Sequence, residues 1–475
     1  MIEVTLSTIF EHNPWFGRPE FILDDTYIAE FEKQKYRYLH PLLKSFPTEE
    51  DAILTLRGPR RIGKSTLLKL LIRDLLLKRK INRENVFFFP CDRLGTYDDL
   101  YALISEYLNY IRPKSKQRIF IFLDEISFVR DWPRGIKELV DAGKLKNATL
   151  LLTGSSTLDL KYSSERLPGR RGKCMPADIE FLPLNFSDFV ALVNPKICNL
   201  SLPEAMRYLS LYRKLFNDYL LTGGFPLTIN QYFTKGYIPA DIYESYLVWI
   251  EGDLHKVGKS EEVSYRLLSR IFECLATPVS YYKLTKEAAI ASHATTEDYI
   301  DILNKMFILF KTEYFNLDQK KVDYKKNRKF YFYDPFIYFA LKAKIDGFSH
   351  DAFNYSKHQI TSGIKSALVE NVTASHLKPF FPYLYYGRSG DKEIDLVGKS
   401  AGKLSHYEVK YQKRVRETDF IWFTHQKKKL TILTQNDFKK NLITLIPAEI
   451  FLARVSDFLL IPPTVSKLKT GKKDY

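Results

Sequence analysis

Residues 56–66 read LRGPRRIGKST, and the fold follows from this stretch. Gly58, Gly63, Lys64 and Ser65 fit the phosphate-loop spacing G-x-x-x-x-G-K-S. An apolar run, AILTL (52–56), precedes it, and the helical pattern KSTLLKLLIRDLLLKRK follows it. A strand, a tight loop and a helix N-terminus are what the motif needs, because backbone N–H groups at that terminus converge on a phosphate. Pro59, Arg60, Arg61 and Ile62 span the two glycines, and Thr66 closes the motif. Lys64 is expected to reach the β- and γ-phosphates of ATP, and Ser65 to hold Mg²⁺.

Working outward, further apolar runs alternate with helical patterns: VFFF (86–89), IFIFL (119–123), TLLL (149–152) and IEFLP (179–183). Unbroken apolar strands suit a parallel sheet covered on both faces. The expected fold class is α/β, a doubly wound P-loop NTPase sheet. In IFIFLDEI, Asp124 leaves the strand end where it binds Mg²⁺ through water, and Glu125 polarises the attacking water. VFFF separates this acidic strand from the phosphate loop in sequence, an order typical of P-loop proteins with an additional strand and a catalytic glutamate. LLLTGSS then places Thr153 and Ser155 at a sensor position near the γ-phosphate, or as strand-end caps. In ERLPGRRGK, Arg170 and Arg171 are candidates for an arginine finger reaching a neighbour's ATP, which requires a homo-oligomer or ring; a solvated basic loop is the alternative.

Composition sets bounds. A chain of 475 residues exceeds a single core, and 45% hydrophobic content with 15% aromatics excludes a disordered chain. The net charge of +16 points to a polyanionic partner, nucleic acid first; a merely basic solvated surface is the alternative. Cys91, Cys174, Cys198 and Cys274 form no C-x-x-C pair, so neither a disulfide framework nor a zinc cluster is read from them. The N-terminal stretch lacks a long apolar core, and no apolar run reaches the roughly 18 residues needed to span a bilayer. A cytoplasmic protein with no membrane partner is expected.

NPWF, LRGPRRIGKST, FLDEI followed by DWPRGIKELVD, LLLTGSS, LPGRRG, PLNFSDF and LLTGGFP occur in this order. Together they resemble the archaeal and bacterial AAA-type P-loop ATPases in which a DUF4143-type C-terminal region usually follows. The resemblance runs over about residues 10–260 and continues more weakly to about 455. It implies an ATPase core, a winged helix and a restriction-endonuclease-like C-terminal domain. The expected segments are an N-terminal segment (1–50), the core (51–183), a helical lid (184–260), a winged helix (261–350), an α/β nuclease-like domain (351–460) and a basic tail (461–475).

A second pattern supports the last domain. EIDLV and HYEVKY flank a glycine-containing turn, and strand alternation points Glu408 and Lys410 the same way. A hairpin folded about Ala401 sets Asp395 opposite Glu408, and Glu370 on the upstream helix SALVENVTASHL adds a third carboxylate. Glu370…Asp395…Glu408-x-Lys410 is similar to the PD-(D/E)xK nuclease pattern. In that reading Asp395 and Glu408 hold Mg²⁺ or Mn²⁺, and Lys410 positions the water. A nuclease fold kept only for binding, or an exposed strand with cross-strand salt bridges, are the alternatives.

Between these sites lies the run QKKVDYKKNRKFYFY. Lys320, Lys321, Lys325, Lys326, Arg328 and Lys329 are expected to track phosphates, with Tyr324 or Tyr331 stacking on bases. The alternative is lysines that blunt a sheet edge over core aromatics. The helix before it, TTEDYIDILNKM, is acidic on its exposed side, which argues against base reading by that helix. DNA is favoured over RNA as partner. Two functions stand at this point: an ATP-driven or ATP-gated nucleic-acid enzyme with a metal-dependent nuclease site, and a nucleotide switch or remodelling ATPase that cuts nothing.

Overall fold

The computed structural model describes residues 5–154, 172, 177–361, 363–424 and 429–459. The chain divides into two compact units, the first running to Leu182 and the second starting at Pro183. Among the described residues, no helix is long and apolar enough to cross a membrane.

The first unit is built on strands β1 (Ala52–Arg57), β2 (Val86–Pro90), β3 (Ile119–Asp124), β4 (Ala148–Gly154) and β5 (Asp178–Glu180). They form a five-stranded parallel sheet in the order β2-β3-β4-β1-β5. Every residue of β3 and β4 is buried, as unbroken apolar strands between two helical layers must be. Helices α1 (Lys64–Arg73), α2 (Tyr97–Ile111) and α3 (Trp132–Asp141) follow β1, β2 and β3. The acidic strand β3 is not the neighbour of β1, because β4 lies between them.

The N-terminal segment closes the β2 edge. The Asn13 side chain donates to Phe88 O at 2.9 Å and accepts from Phe88 N–H at 2.7 Å, and Trp15 Nε1–H donates to Val86 O at 2.8 Å. An amide side chain thus stands in for a missing strand, giving the edge its partners without exposing another edge.

The second unit begins with helices, including Leu209–Thr222 and Ala240–Lys256. Next come α4 (Glu261–Glu273), α5 (Tyr281–Glu287) and α6 (His293–Lys305), and then β6 (Leu309–Asn316), β7 (Lys321–Asp323) and β8 (Lys329–Phe332). Strand β6 has two partners in succession: Leu309–Thr312 pair antiparallel with β8, and Glu313–Asn316 pair parallel with β9 (Tyr383–Ser389). The hairpin is therefore continuous with the C-terminal sheet. That sheet adds β10 (Lys392–Ser400), β11 (Lys403–Val409), β12 (Leu430–Thr434), β13 (Lys439–Lys440) and β14 (Ile443–Pro447). Its nine strands run β13-β14-β12-β11-β10-β9-β6-β7, with β8 on β6. Phe315, Ile394, Val397, Phe423, Ile432 and Leu445 pack in one of its cores.

Helices α7 (Pro335–Ile345) and α8 (Lys365–Leu377) complete the scaffold. Asp334 caps α7, accepting from Phe336 N–H at 2.8 Å, and its other oxygen accepts from Gly224 N–H at 2.7 Å. The glycine turn of LLTGGFP has no room for a side chain: a Cβ on Gly224 would lie 2.1 Å from Leu184 O.

Candidate functional site

The phosphate loop connects β1 to α1. Gly63, the residue before α1, has φ +102°, a left-handed conformation that glycine adopts without strain, and a Cβ there would meet only open space. Lys64 is buried, and its ammonium donates to Gly58 O and Pro59 O, each at 2.9 Å. The loop thus curls around its own lysine, with α1 starting at that residue.

Asp124, at the end of β3, is buried beside this loop. Burial pushes its carboxyl up, while hydrogen bonds from Ser65 and Thr153 favour the charged form and offset part of that rise. The Thr153 hydroxyl donates to Asp124 Oδ1, and Thr153 Oγ1 in turn accepts from Glu125 N–H at 3.4 Å. Thr153 therefore ties the end of β4 to the acidic end of β3. Glu125 adopts φ 55°, which turns the chain sharply after the strand. Ser155, Arg170 and Arg171 lie outside the described residues.

Tyr27 is a residue at this site that sequence reading missed. Its helix, Thr26–Lys33, is capped by Asp25, which also pairs with Lys69 of α1 at 3.0 Å. The Tyr27 side chain reaches the Ser65 hydroxyl; burial and the nearby Asp124 push its phenol up. No spacing rule links an N-terminal tyrosine to a loop far along the chain.

These residues suit ATP with Mg²⁺. The loop opens at Gly63, and the Ser65 hydroxyl and Asp124 carboxylate lie in hydrogen-bond contact as hard oxygen donors. Lys64 would face the phosphates, and Ser65 and Asp124 would hold the ion. When bound, Mg²⁺ supplies charge neutralisation of the phosphates. Glu125 follows Asp124 in the chain, and the Thr153 hydroxyl is hydrogen-bonded to the Asp124 carboxylate.

The C-terminal sheet brings together the second set of residues. The pairs Leu396↔Tyr407 and Ser400↔Lys403 fix the β10–β11 register around a turn with Ala401 at φ 47° and Gly402 at φ 76°. Two positive φ values match the twist of a two-residue hairpin. Asp395 and Glu408 consequently lie side by side: Asp395 N–H donates to Glu408 Oε2 at 3.1 Å, and Val409 N–H donates to Asp395 Oδ2 at 2.9 Å. Lys410 Nζ lies 2.8 Å from Glu408 Oε1. Glu370 of α8 faces the same patch, accepting from the Tyr331 hydroxyl at 2.7 Å.

An additional residue occupies the centre. Lys329 of β8 is 1% exposed, and its Nζ lies 2.9 Å from each of Glu370 Oε1, Glu393 Oε1 and Asp395 Oδ1. Burial alone would lower this ammonium, but Tyr331, Asp395, Glu370 and Glu393 hold it well above its ordinary value. Burial, with Asp395 close by, pushes the carboxyls of Glu370 and Glu408 up.

This corrects the reading of the basic run. Lys329 does not track phosphates and Tyr331 does not stack on bases, because both side chains are buried against Glu370. Arg328 is turned inward, 3.1 Å from Glu313 and over the Tyr281 ring. Lys320, Lys321, Lys325 and Lys326 remain exposed, as does Tyr324, which is 65% accessible.

The cluster does not suit Mg²⁺ or Mn²⁺. Both oxygens of Asp395 and both of Glu408 already have protein donors, and the three carboxylates that converge do so on an ammonium. Among the described residues, no group of three or more His, Cys, Asp or Glu side chains has an arrangement that could hold a metal ion.

Comparison with known proteins places the first unit. Residues 50–190 match the family model described as an AAA domain, AAA_14, and residues 213–348 match a domain of unknown function, DUF8612. An uncharacterized protein of Haemophilus influenzae is 25% identical over 424 residues, covering 86% of this chain and 92% of its own length. An uncharacterized protein of Methanocaldococcus jannaschii is 24% identical over 436 residues, covering 85% and 81%. Among solved structures, the Walker-type ATPase PABY2304 of Pyrococcus abyssi overlaps with a TM-score of 0.37 at 16% identity, over 61% of this chain and 90% of that one. The ORC1 protein of Aeropyrum pernix in complex with DNA overlaps with a TM-score of 0.30 at 15% identity, over 72% and 97%. With its phosphate loop, acidic strand and parallel sheet, the segment 50–190 is an AAA-type, ATPase-like P-loop domain.

Proposed function

We propose that this protein binds and hydrolyses ATP and acts on nucleic acid, DNA ahead of RNA, as a nucleotide-dependent switch or remodelling ATPase whose C-terminal sheet binds rather than cuts. The observation that carries the ATP half is the hydrogen-bonded series Ser65–Asp124–Thr153 beside the looped Lys64. The nucleic-acid half rests on the exposed Lys320, Lys321, Lys325, Lys326 and Tyr324 at the tip of the β6–β8 hairpin, together with the net charge of +16. We read α4, α5, α6 and this hairpin as a winged helix whose wing has joined the C-terminal sheet. A cytoplasmic location and assembly into a homo-oligomer or ring, with Arg170 or Arg171 reaching a neighbour's ATP, belong to the same reading.

One observation favours a metal-dependent nuclease instead: Glu370, Asp395, Glu408 and Lys410 do gather on one patch of the second unit. That reading requires Lys329 to leave the carboxylates. A cleavage assay separates the two, using single-stranded, duplex and branched DNA and RNA with Mg²⁺ or Mn²⁺, with and without ATP. The binding reading expects retained but uncut substrate from wild type and from Lys410→Ala, with ATP turnover lost in Lys64→Ala. Cleavage by wild type that Lys410→Ala abolishes establishes the nuclease.

A further inference from the structure

We infer that Lys329 is the resident cation of the C-terminal carboxylate cluster: its ammonium stands where a nuclease would bind a divalent ion, and it anchors the basic hairpin to the sheet. The inference deepens the binding reading of this region and is independent of the ATP site.

Burying a lysine is costly unless its charge is matched, and removing a partner from such a group leaves an uncompensated charge. Lys329 is matched threefold: one nitrogen lies 2.9 Å from oxygens of Glu370, Glu393 and Asp395. Those distances are N–H···O lengths. Magnesium would need oxygens at about 2.0–2.1 Å in octahedral array. The oxygens that would have to rearrange to provide it are held elsewhere. Val409 N–H holds Asp395 Oδ2, Asp395 N–H holds Glu408 Oε2, and Lys410 holds Glu408 Oε1. Tyr331 adds a second donor on Glu370 Oε1, and Arg388 donates to Glu393 at 2.8 Å.

The position of Lys329 in the sheet gives the arrangement a mechanical consequence. Thr312↔Lys329 is the last β6–β8 pair, and the next residue, Glu313, already pairs with Tyr385 of β9. Lys329 thus stands where β8 departs from β6, and its side chain reaches β10 and α8 instead. It directly follows the basic loop residues Lys325 to Arg328. The ammonium therefore holds the base of that loop against the C-terminal sheet, and the exposed lysines project from a fixed edge.

The test is Mn²⁺ binding to the full-length chain without nucleotide, read by electron paramagnetic resonance. Wild type and Asp395→Asn are expected to bind the same amount of Mn²⁺. Lys329→Met, which keeps the unbranched stem and removes the ammonium, is expected to gain one Mn²⁺ per chain, lost again when Asp395→Asn is added. Wild type that binds an Mn²⁺ which Asp395→Asn removes overturns the inference, as does a folded Lys329→Met that gains none. If Lys329→Met does not fold, the comparison of wild type with Asp395→Asn decides the matter by itself. Because no ATP or nucleic acid is present, a negative result here leaves the proposed ATPase function to its own assay.

Discussion

Thr153 donates its hydroxyl proton to the carboxylate of Asp124, joining the ends of two adjacent parallel strands directly beside the phosphate loop. This hydrogen bond fixes which way Asp124 faces before any nucleotide arrives. Outer hydrogen bonds of this kind typically affect activity by about 10–100-fold. Thr153→Ala should therefore lower the kcat of ATP hydrolysis by that order with a smaller change in KM, and Thr153→Ser should restore most of it. An unchanged kcat in Thr153→Ala removes this role.

The Asn13 amide completes the hydrogen bonding of β2 at the sheet edge. In Asn13→Ala the Phe88 N–H and C=O are left buried without that partner, at a cost of about 1–3 kcal/mol. Urea denaturation of the full chain should show the loss as a lower midpoint for the transition that unfolds this sheet. A midpoint equal to that of wild type contradicts the edge-closing function.

His376 of α8 accepts from Phe186 N–H through Nε2 at 2.7 Å and is fully enclosed, which lowers its pKa to about 3. Its folded value lies below the unfolded value near 6.5, so its contribution is complete above pH 6.5 and is lost as pH falls from there toward 3. The slope should approach about 1.4 kcal/mol per pH unit. Thermal melts at pH 7 and pH 5 should converge more closely for His376→Gln, whose amide oxygen can still accept the Phe186 proton, than for wild type. Equal pH sensitivity in both counts against His376 as the source.

Removing the Lys329 charge leaves several carboxylates facing one another in the sheet. Losing one partner of a buried ion pair costs about 3–5 kcal/mol. Lys329→Met should lose stability on that scale, and adding Glu393→Gln should recover part of it by relieving repulsion. Additive effects of the two substitutions are the contrary outcome.

Several of these features can be read from the chain and others cannot, for identifiable reasons. The strand–loop–helix at LRGPRRIGKST and the acidic end of β3 are local, since their meaning lies within a few residues of an apolar run. The neighbouring of Asp395 and Glu408 follows from alternation around a short turn. Lys329 was hidden because it closes a run of cations, which sequence reading treats as a solvated surface. Its partners Glu370 and Asp395 stand 41 and 66 residues further on. Tyr331 was obscured by the same run. The pairing of β6 with β9 could not be anticipated either, because half of β6 belongs to an ordinary hairpin and only its far half joins the distant sheet.

The exposed lysines give a salt-dependent prediction. Replacing Lys320, Lys321, Lys325 and Lys326 by Glu should weaken binding to every DNA sequence tested. The dependence of log K on log salt should flatten by about 0.7–0.9 for each phosphate that the variant no longer neutralises. An unchanged slope shows that this loop meets no phosphates.

The most direct measurement is the steady-state ATPase rate of the full-length chain with and without single-stranded DNA, duplex DNA and RNA, compared with Lys64→Ala and with the four-lysine hairpin variant. The account predicts turnover that depends on Lys64, rises with at least one nucleic acid, and fails to rise in the hairpin variant. Turnover that no nucleic acid changes, in a protein that also binds none, contradicts it.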